Sequence, residues 1–262
     1  MKLIATTIIC FLFSLQVIHS NVVIINGLTH SFSGVSGQTF QGQIILANTS
    51  NEEQRVTFEL NEAIYNCDQG RVFIANANHK NSSTAWFTSA VNSKVLAPKE
   101  RFTYKYSITI PEDNTLNGSY WTTLMVNVDK PIKEEVVANI GLDTKIRYAV
   151  RLLTDVNINE EVLLDFESVN LNLNPINNKK QLDINVLNQS GFIENVKLSL
   201  EIYDSFGTKV LDTKTKRAKV FPEVCRNYSL DISGLKEGIY QCIVIADSRD
   251  EYIGTNISLE VD

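Results

Sequence analysis

Alternation of apolar and polar residues with a period of two is the feature that most constrains the fold of this chain. It occurs in short segments rich in β-branched and aromatic residues. In the first half these segments are 41–48, 54–65, 101–110, 119–128 and 144–153. This period places successive side chains on opposite faces of a half-buried strand. No segment repeats its apolar residues at helical spacing, so the sequence predicts an all-β protein.

The second half of the chain repeats the same design. Its strand-like segments are 162–173, 182–188, 195–204, 208–213, 225–232, 238–247 and 254–261. About seven short strands separated by turns are typical of an immunoglobulin-like β-sandwich. A chain of 262 residues is long enough for two such domains.

Two short motifs occur once in each half. Gly118-x-Tyr120 matches Gly238-x-Tyr240, and each opens an apolar run. In a sandwich, a tyrosine at this position turns its hydroxyl back to the backbone and pins the corner between the sheets. We therefore predict two sandwich domains in tandem, at 21–156 and 157–262. The first copy is longer, and its extra residues fall in 66–87, predicted to be a long surface excursion.

The first twenty residues have the layout of a secretory signal peptide. Met1 and Lys2 give a positive start, 3–17 is mostly apolar, and Ser20 offers a small residue before a cleavage site. No later segment approaches the ~20 apolar residues that span a bilayer. We expect an exported protein of the periplasm or cell surface, with no integral membrane segment after cleavage.

The charge balance excludes two classes of partner. The chain has 24 basic and 30 acidic residues, a net charge of −6. Nucleic acids and anionic lipids attract basic surfaces, so neither is an expected partner.

Three cysteines follow the predicted signal peptide: Cys67, Cys225 and Cys242. Export permits a disulfide, but an odd number does not define a framework. Cys225 and Cys242 are the only pair close in sequence, and two interpretations stay open for them: a bridge, or buried free thiols that pack as small apolar side chains.

No set of residues predicts catalysis, a cofactor or a metal site. His30 and His79 lie in unrelated segments without other ligands at metal spacing. No serine lies in a nucleophile elbow, and no phosphate-binding or dinucleotide fingerprint is present. The sequence therefore favours a binding protein over an enzyme.

Several segments together resemble a known protein class. "GLTHSFSGVSGQTFQGQIILANTS", "VLAPKERFTYKYSITIPED", "LNGSYWTTLMVNV" and "TKIRYAVRLL" follow one another over 28–153. This order is similar to the first domain of two groups of bacterial envelope proteins with immunoglobulin-like domains. One group is the periplasmic pilus-assembly chaperones. The other is the WxL-interacting surface proteins, whose first domain is described as peptidoglycan-binding.

The chaperone resemblance implies a mechanism of strand addition, in which alternate apolar side chains of one strand complete another protein. That strand would be 144–153, and its implied partner-binding residues are Lys145, Ile146, Arg147, Tyr148, Val150 and Arg151. The cation that grips a partner's terminal carboxylate would be Arg147, with help from Lys145. The first strand lacks the second arginine of this clamp, and His30 is a weak substitute. An ordinary strand that fills its own core is the alternative interpretation.

The function expected is that of a non-catalytic envelope binding protein, either assembly-chaperone-like or an accessory surface factor. The alternative is a peptidoglycan or carbohydrate binder, with Trp86 and Phe87 stacking on sugar rings unless Trp86 packs inward. The segment "LDISGLKEGIYQCIVIA" also resembles the C-terminal sorting modules of secreted bacterial proteins. Those modules tend to end on a basic strand, whereas this chain ends on the acidic "GTNISLEVD", so we do not assign that role.

Overall fold

The computed structural model describes residues 22–67, 70–129, 145–157 and 161–261. Within these ranges the regular structure is β-sheet, apart from one 3-10 turn at Thr84–Trp86. No helix in this part of the chain is long and apolar enough to cross a membrane. The predicted signal peptide lies outside the described residues.

The first half forms two sheets. Its strands are β1 (Val22–Ile24), β2 (Thr29–Gly34), β3 (Thr39–Asn48), β4 (Gln54–Asn66), β5 (Gly70–Ile74), β6 (Phe87–Thr88), β7 (Ser93–Leu96), β8 (Arg101–Thr109), β9 (Gly118–Asp129) and β10 (Ile146–Val156). One sheet has the order β1-β3-β8-β6, and the other has the order β2-β10-β9-β4-β5, with β7 also paired to β4. Apolar side chains such as Ile44, Tyr104 and Leu124 fill the space between them.

The second half forms two further sheets. Its strands are β11 (Leu164–Leu173), β12 (Lys180–Asn188), β13 (Glu194–Tyr203), β14 (Lys209–Lys214), β15 (Ala218–Val220), β16 (Cys225–Asp231), β17 (Gly238–Ser248) and β18 (Glu251–Val261). The sheet orders are β11-β12-β16 and β14-β13-β17-β18, with β15 on β13. The prediction of an all-β protein with two immunoglobulin-like sandwiches is confirmed. We keep residue 156 as the proposed boundary, since each sheet contains strands from one side of it only.

The internal repeat is visible in atomic detail at two buried asparagines. The Asn48 side chain accepts hydrogen bonds from the Ser50 backbone and hydroxyl and donates to the carbonyls of Glu52 and Ala97. The Asn188 side chain accepts from Ser190 in the same way and donates to the carbonyls of Phe192 and Val220. Each asparagine therefore replaces the missing backbone partners of a turn at the same place in each sandwich.

We expect Asn188→Ala to lower the free energy of unfolding by about 1–3 kcal/mol, because it leaves buried backbone carbonyls without donors. Denaturant unfolding followed by tryptophan fluorescence or circular dichroism measures this. Asn170→Ala is the matched control, since Asn170 is exposed on β11. An equal loss of stability in both variants would show that the turn is not the cause.

The two Gly-x-Tyr motifs begin β9 and β17. Gly118 and Gly238 have φ angles of +114° and +154°, which favour glycine. The Tyr240 hydroxyl donates to the Lys236 carbonyl at 3.1 Å, as the tyrosine-corner prediction requires. Tyr120 is in the equivalent position and interacts with the Asn117 backbone.

The segment 66–87 is more than the predicted surface excursion. Its strand β5 pairs with the end of β4. His79, Ser82 and Thr84 all hydrogen-bond to the carboxylate of Glu62, which is buried on β4. Most of 70–80 is exposed as predicted, while these three polar side chains satisfy the buried carboxylate.

Candidate functional site

Strand β10 has an open edge along its first half. It pairs with β9 over its whole length, from Ile146 to Val156. On its other side it pairs with β2 only from Arg151 onward. Within the described ranges, 146–150 therefore has a strand partner on one side only. An unpaired edge of this kind can accept a strand from another chain.

The backbone groups that face the open side can be identified. The Arg151 N–H donates to the Leu28 carbonyl at 3.0 Å, so it faces the β2 side. In an antiparallel pair the direction of the backbone groups alternates along the strand. The N–H and C=O groups of Arg147 and Ala149 therefore face the same side, where the described residues offer no strand.

The side chains of β10 divide between two faces as predicted. Ile146 and Tyr148 are partly buried against the first core, and Val150 is fully buried in it. The Tyr148 hydroxyl donates to the Val22 carbonyl at 2.5 Å and joins the two sheets. Arg147 and Arg151 lie on the opposite face. The open edge is thus apolar on the core side and basic on the outer side.

The outer face of this sheet carries a small apolar contact with the second half of the chain. Phe221 is 3 % exposed and stacks on Tyr65, with ring centroids 3.5 Å apart. It also meets Trp121 edge-on at 4.8 Å. Buried rings from both halves therefore form one cluster, and we call this cluster the Phe221 contact.

Polar groups surround the Phe221 contact. The Ser119 N–H donates to the Gly191 carbonyl at 2.8 Å, and the Ile193 N–H donates to the Ser119 hydroxyl at 2.7 Å. The same hydroxyl donates to the carboxylate of Asp155. Burial raises the pKa of Asp155, and the hydrogen bond from Ser119 counteracts that rise. A side chain at position 118 would collide with the Gly191 carbonyl. Gly118 of the Gly-x-Tyr motif therefore also allows the two halves of the chain to approach each other closely here.

A disulfide also joins the two halves. It links Cys67, which follows β4, to Cys225, the first residue of β16. Cys242 is a buried free thiol, and its burial raises its pKa to about 11. Of the two interpretations left open for Cys225 and Cys242, a bridge between them is excluded, and the free-thiol interpretation is correct for Cys242 only. Nearness in sequence suggested the pair, whereas packing between the halves brings together cysteines that are 158 residues apart.

A basic cleft lies beside the disulfide. It has a volume of about 880 Å³ and is lined by residues of both halves. Five of its described lining residues are cations: Arg71, Arg151, Arg217, Lys219 and Arg226. None of the described lining residues is acidic, although the whole chain carries a net charge of −6. Arg217 is engaged by the Asp247 carboxylate at 2.7 Å. The cleft is therefore suited to an anionic group.

The structure separates the two arginines of β10. Arg151 lines the cleft and donates to the Thr29 hydroxyl at 2.8 Å. Burial raises the pKa of the Tyr65 hydroxyl, and the charges of Arg151 and Arg71 counteract the rise. Arg147 lies outside the cleft lining and donates to Asn127 at 2.8 Å. Of the two arginines only Arg151 lines the cleft, and the carboxylate-binding role of Arg147 stays a prediction.

The other predicted residues lie apart from the cleft. Lys145 is exposed and 3.9 Å from the Asp129 carboxylate. His30 bonds through Nδ1 to the Tyr106 hydroxyl at 2.7 Å, and its pKa is lowered by burial. It does not line the cleft and is no substitute for a clamp arginine.

Trp86 and Phe87 pack into the first sandwich. Trp86 is 8 % exposed and its ring lies 4.7 Å from that of Tyr120. Phe87 is partly buried and stacks on Tyr106 at 5.4 Å. Trp86 therefore packs inward, as the alternative interpretation has it, whereas Phe87 stays partly exposed, and sugar binding at these rings stays a prediction.

Comparisons with solved structures find several similar chains. The class 5 fimbriae chaperone CfaA is 14% identical, with 92% of this chain and 100% of that chain covered and a TM-score of 0.49. A chain of the complex between the Salmonella enterica SafA pilin and the SafB chaperone is 10% identical, with 94% and 99% covered and a TM-score of 0.47. The YadV chaperone is 14% identical, with 92% and 100% covered and a TM-score of 0.45. At such identities the similarity concerns the fold alone.

Sequence comparisons give one family match. The family described as a secretion system C-terminal sorting domain matches residues 173–255, which is less than half of the chain. The acidic end of the chain was therefore a poor reason to set this resemblance aside. The match indicates an exported protein. No curated protein matches the chain. The similarity to WxL-interacting proteins has no support from these comparisons and stays a prediction.

Proposed function

We propose that this chain is a non-catalytic binding protein of the cell envelope that holds an extended segment of another envelope protein by strand addition. The observation that carries the proposal is the half-open edge of β10, where Arg147 and Ala149 present backbone groups to a side on which the described residues place no strand. A segment bound there would continue the sheet and gain main-chain hydrogen bonds.

The cleft supplies the anchor for such a segment. Arg151 lies on β10 one residue beyond the open edge and lines the cleft. A strand seated along 146–150 would therefore have one end beside the basic side chains of both halves. Arginine pairs with carboxylates through two parallel hydrogen bonds. We assign to Arg151 the role that the chaperone resemblance gave to Arg147, with Arg71 and Arg226 as further cations of the anchor.

A photo-crosslinking side chain in place of Ala149 tests the proposal in the cells that make the protein. We expect covalent adducts with an envelope protein at this position. The matched control is the same side chain in place of Gln241, which is exposed on β17 and lies between its two paired strands, β13 and β18. No adduct at 149, or equal adducts at both positions, would contradict strand addition at β10.

A proline at the same position separates binding from folding. Ala149→Pro removes an N–H on the open side and leaves the bonds to β9 intact, so proline is tolerated there. Val150→Pro removes an N–H that faces β9. We expect Ala149→Pro to lose the captured partner while its melting temperature stays near that of the wild type. Val150→Pro should lose the partner and also melt at a lower temperature. A partner retained by folded Ala149→Pro protein would contradict the proposal.

The family match at 173–255 favours a second role, in which the second half directs the protein to the cell surface. Protease added to intact cells distinguishes the two roles. A surface-sorted protein is cleaved, whereas a protein that works inside the envelope is protected until the outer membrane is opened.

A further inference from the structure

The longest open strand edge among the described residues lies in the second sandwich, far from β10 in sequence. Strand β18 is the last strand of its sheet and pairs with β17 without a register shift from Glu251 to Val261. Other long edges are interrupted: β11 has a bulge between Phe166 and Ser168, and the β13–β14 pair shifts between Ile202 and Tyr203. Bulges make an edge a poor template for another strand.

The composition of β18 offers little of the usual protection, since its only charged residues are Glu251 and Glu260. The strand reads "EYIGTNISLEV" and has no proline, lysine or arginine. Natural proteins commonly place such residues on exposed edges to prevent pairing with another chain. A long and regular edge without them is an interaction surface.

The hairpin that leads into β18 fixes which backbone groups are open. Arg249 and Asp250 have φ angles of +48° and +63°, as in a two-residue hairpin turn that closes on Ser248 and Glu251. Because hydrogen-bonded pairs alternate along the ladder, odd-numbered residues of β18 bond to β17. The N–H and C=O groups of the even-numbered residues therefore face outward: Tyr252, Gly254, Asn256, Ser258 and Glu260.

We propose that two copies of this chain pair through their β18 strands in antiparallel register, with Asn256 on the twofold axis. With the axis at Asn256, and only there, each of the five outward-facing residues lies opposite an outward-facing residue of the second copy. Tyr252 then faces Glu260 of the second copy, and Gly254 faces Ser258. No like charges meet, and the two Asn256 amides can bond to each other. The same surface on both copies is the requirement for a closed dimer.

The apolar side chains support the same register. Ile253 and Ile257 are partly buried against the second core, and Leu259 is 6 % exposed. In the paired edge Ile253 lies opposite Leu259 of the second copy, so the inner faces of the two sheets become continuous. The contact consists mainly of backbone bonds along one strand, and we expect a dimer in the micromolar range.

Charged substitutions at Asn256, the residue on the twofold axis, test the pairing. Sedimentation equilibrium of the oxidised chain 21–262 is expected to show a monomer–dimer equilibrium. Asn256→Lys and Asn256→Glu each place like charges opposite each other and should weaken the dimer about tenfold or more. An equal mixture of the two variants should restore it as a heterodimer. Asn170→Lys, at an exposed position of the bulged β11 edge, is the matched control and should dimerise as the wild type does.

The proposal is overturned if the wild-type chain stays monomeric over a series of protein concentrations that reaches well above the micromolar range. It is also overturned if both Asn256 variants dimerise as the wild type does, because the dimer would then use another surface. The test does not involve β10, so its result is independent of the crosslinking at Ala149.

Discussion

Replacing Cys67 and Cys225 together by serine is expected to lower the free energy of unfolding by about 2–5 kcal/mol. The disulfide closes a span of 158 residues and so restricts the unfolded chain. Removing it increases the conformational entropy of the unfolded state. For a protein of this size the melting temperature should fall by about 5–15 °C. Calorimetry of the oxidised wild type and the double variant measures the difference.

The reduced wild type provides the internal check. It should melt at the temperature of the double variant, because both lack the same bond. In the Cys242→Ala variant, reductant should lower the melting temperature as much as it does in the wild type, since Cys242 is a buried free thiol. A wild type whose melting is unchanged by reductant would show that the link between the halves contributes nothing to stability.

Phe221→Ala is expected to cost about 3–5 kcal/mol, as large-to-small changes of buried aromatic residues do. Phe221 contacts Tyr65 and Trp121 of the first half, so its loss leaves a cavity where the halves meet. Because each sandwich keeps its own core, we also expect unfolding to separate into two transitions when the disulfide is reduced. Denaturant unfolding under reducing conditions measures both effects.

Phe206→Ala is the control for the Phe221 contact. Phe206 is 91 % exposed at the turn between β13 and β14, and its loss should change stability by no more than about 0.5 kcal/mol. A stabilising role for this contact would be contradicted if both variants lost similar amounts of unfolding free energy. It would also be contradicted if the Phe221→Ala protein were as stable as the wild type.

The sequence alone determined the strands and the repeat of the sandwich. Period-two alternation is a local property, because each side chain faces inward or outward according to its neighbours along the strand. The Gly-x-Tyr motifs were likewise readable, since such motifs act within a few residues of their own turn. Asn48 and Asn188 are local in the same way, because each accepts two hydrogen bonds from the serine two residues later.

Only the tertiary structure decided which groups meet between the halves and which strand edges stay open. The pairing of Cys67 with Cys225 and the position of Arg71, Arg151 and Arg226 around one cleft depend on how the two sandwiches pack. The open first half of β10 and the open edge of β18 depend on which strands lie beside them. Alternation predicts the face that a side chain occupies, but the partner of an edge is set by contacts between residues far apart in the chain.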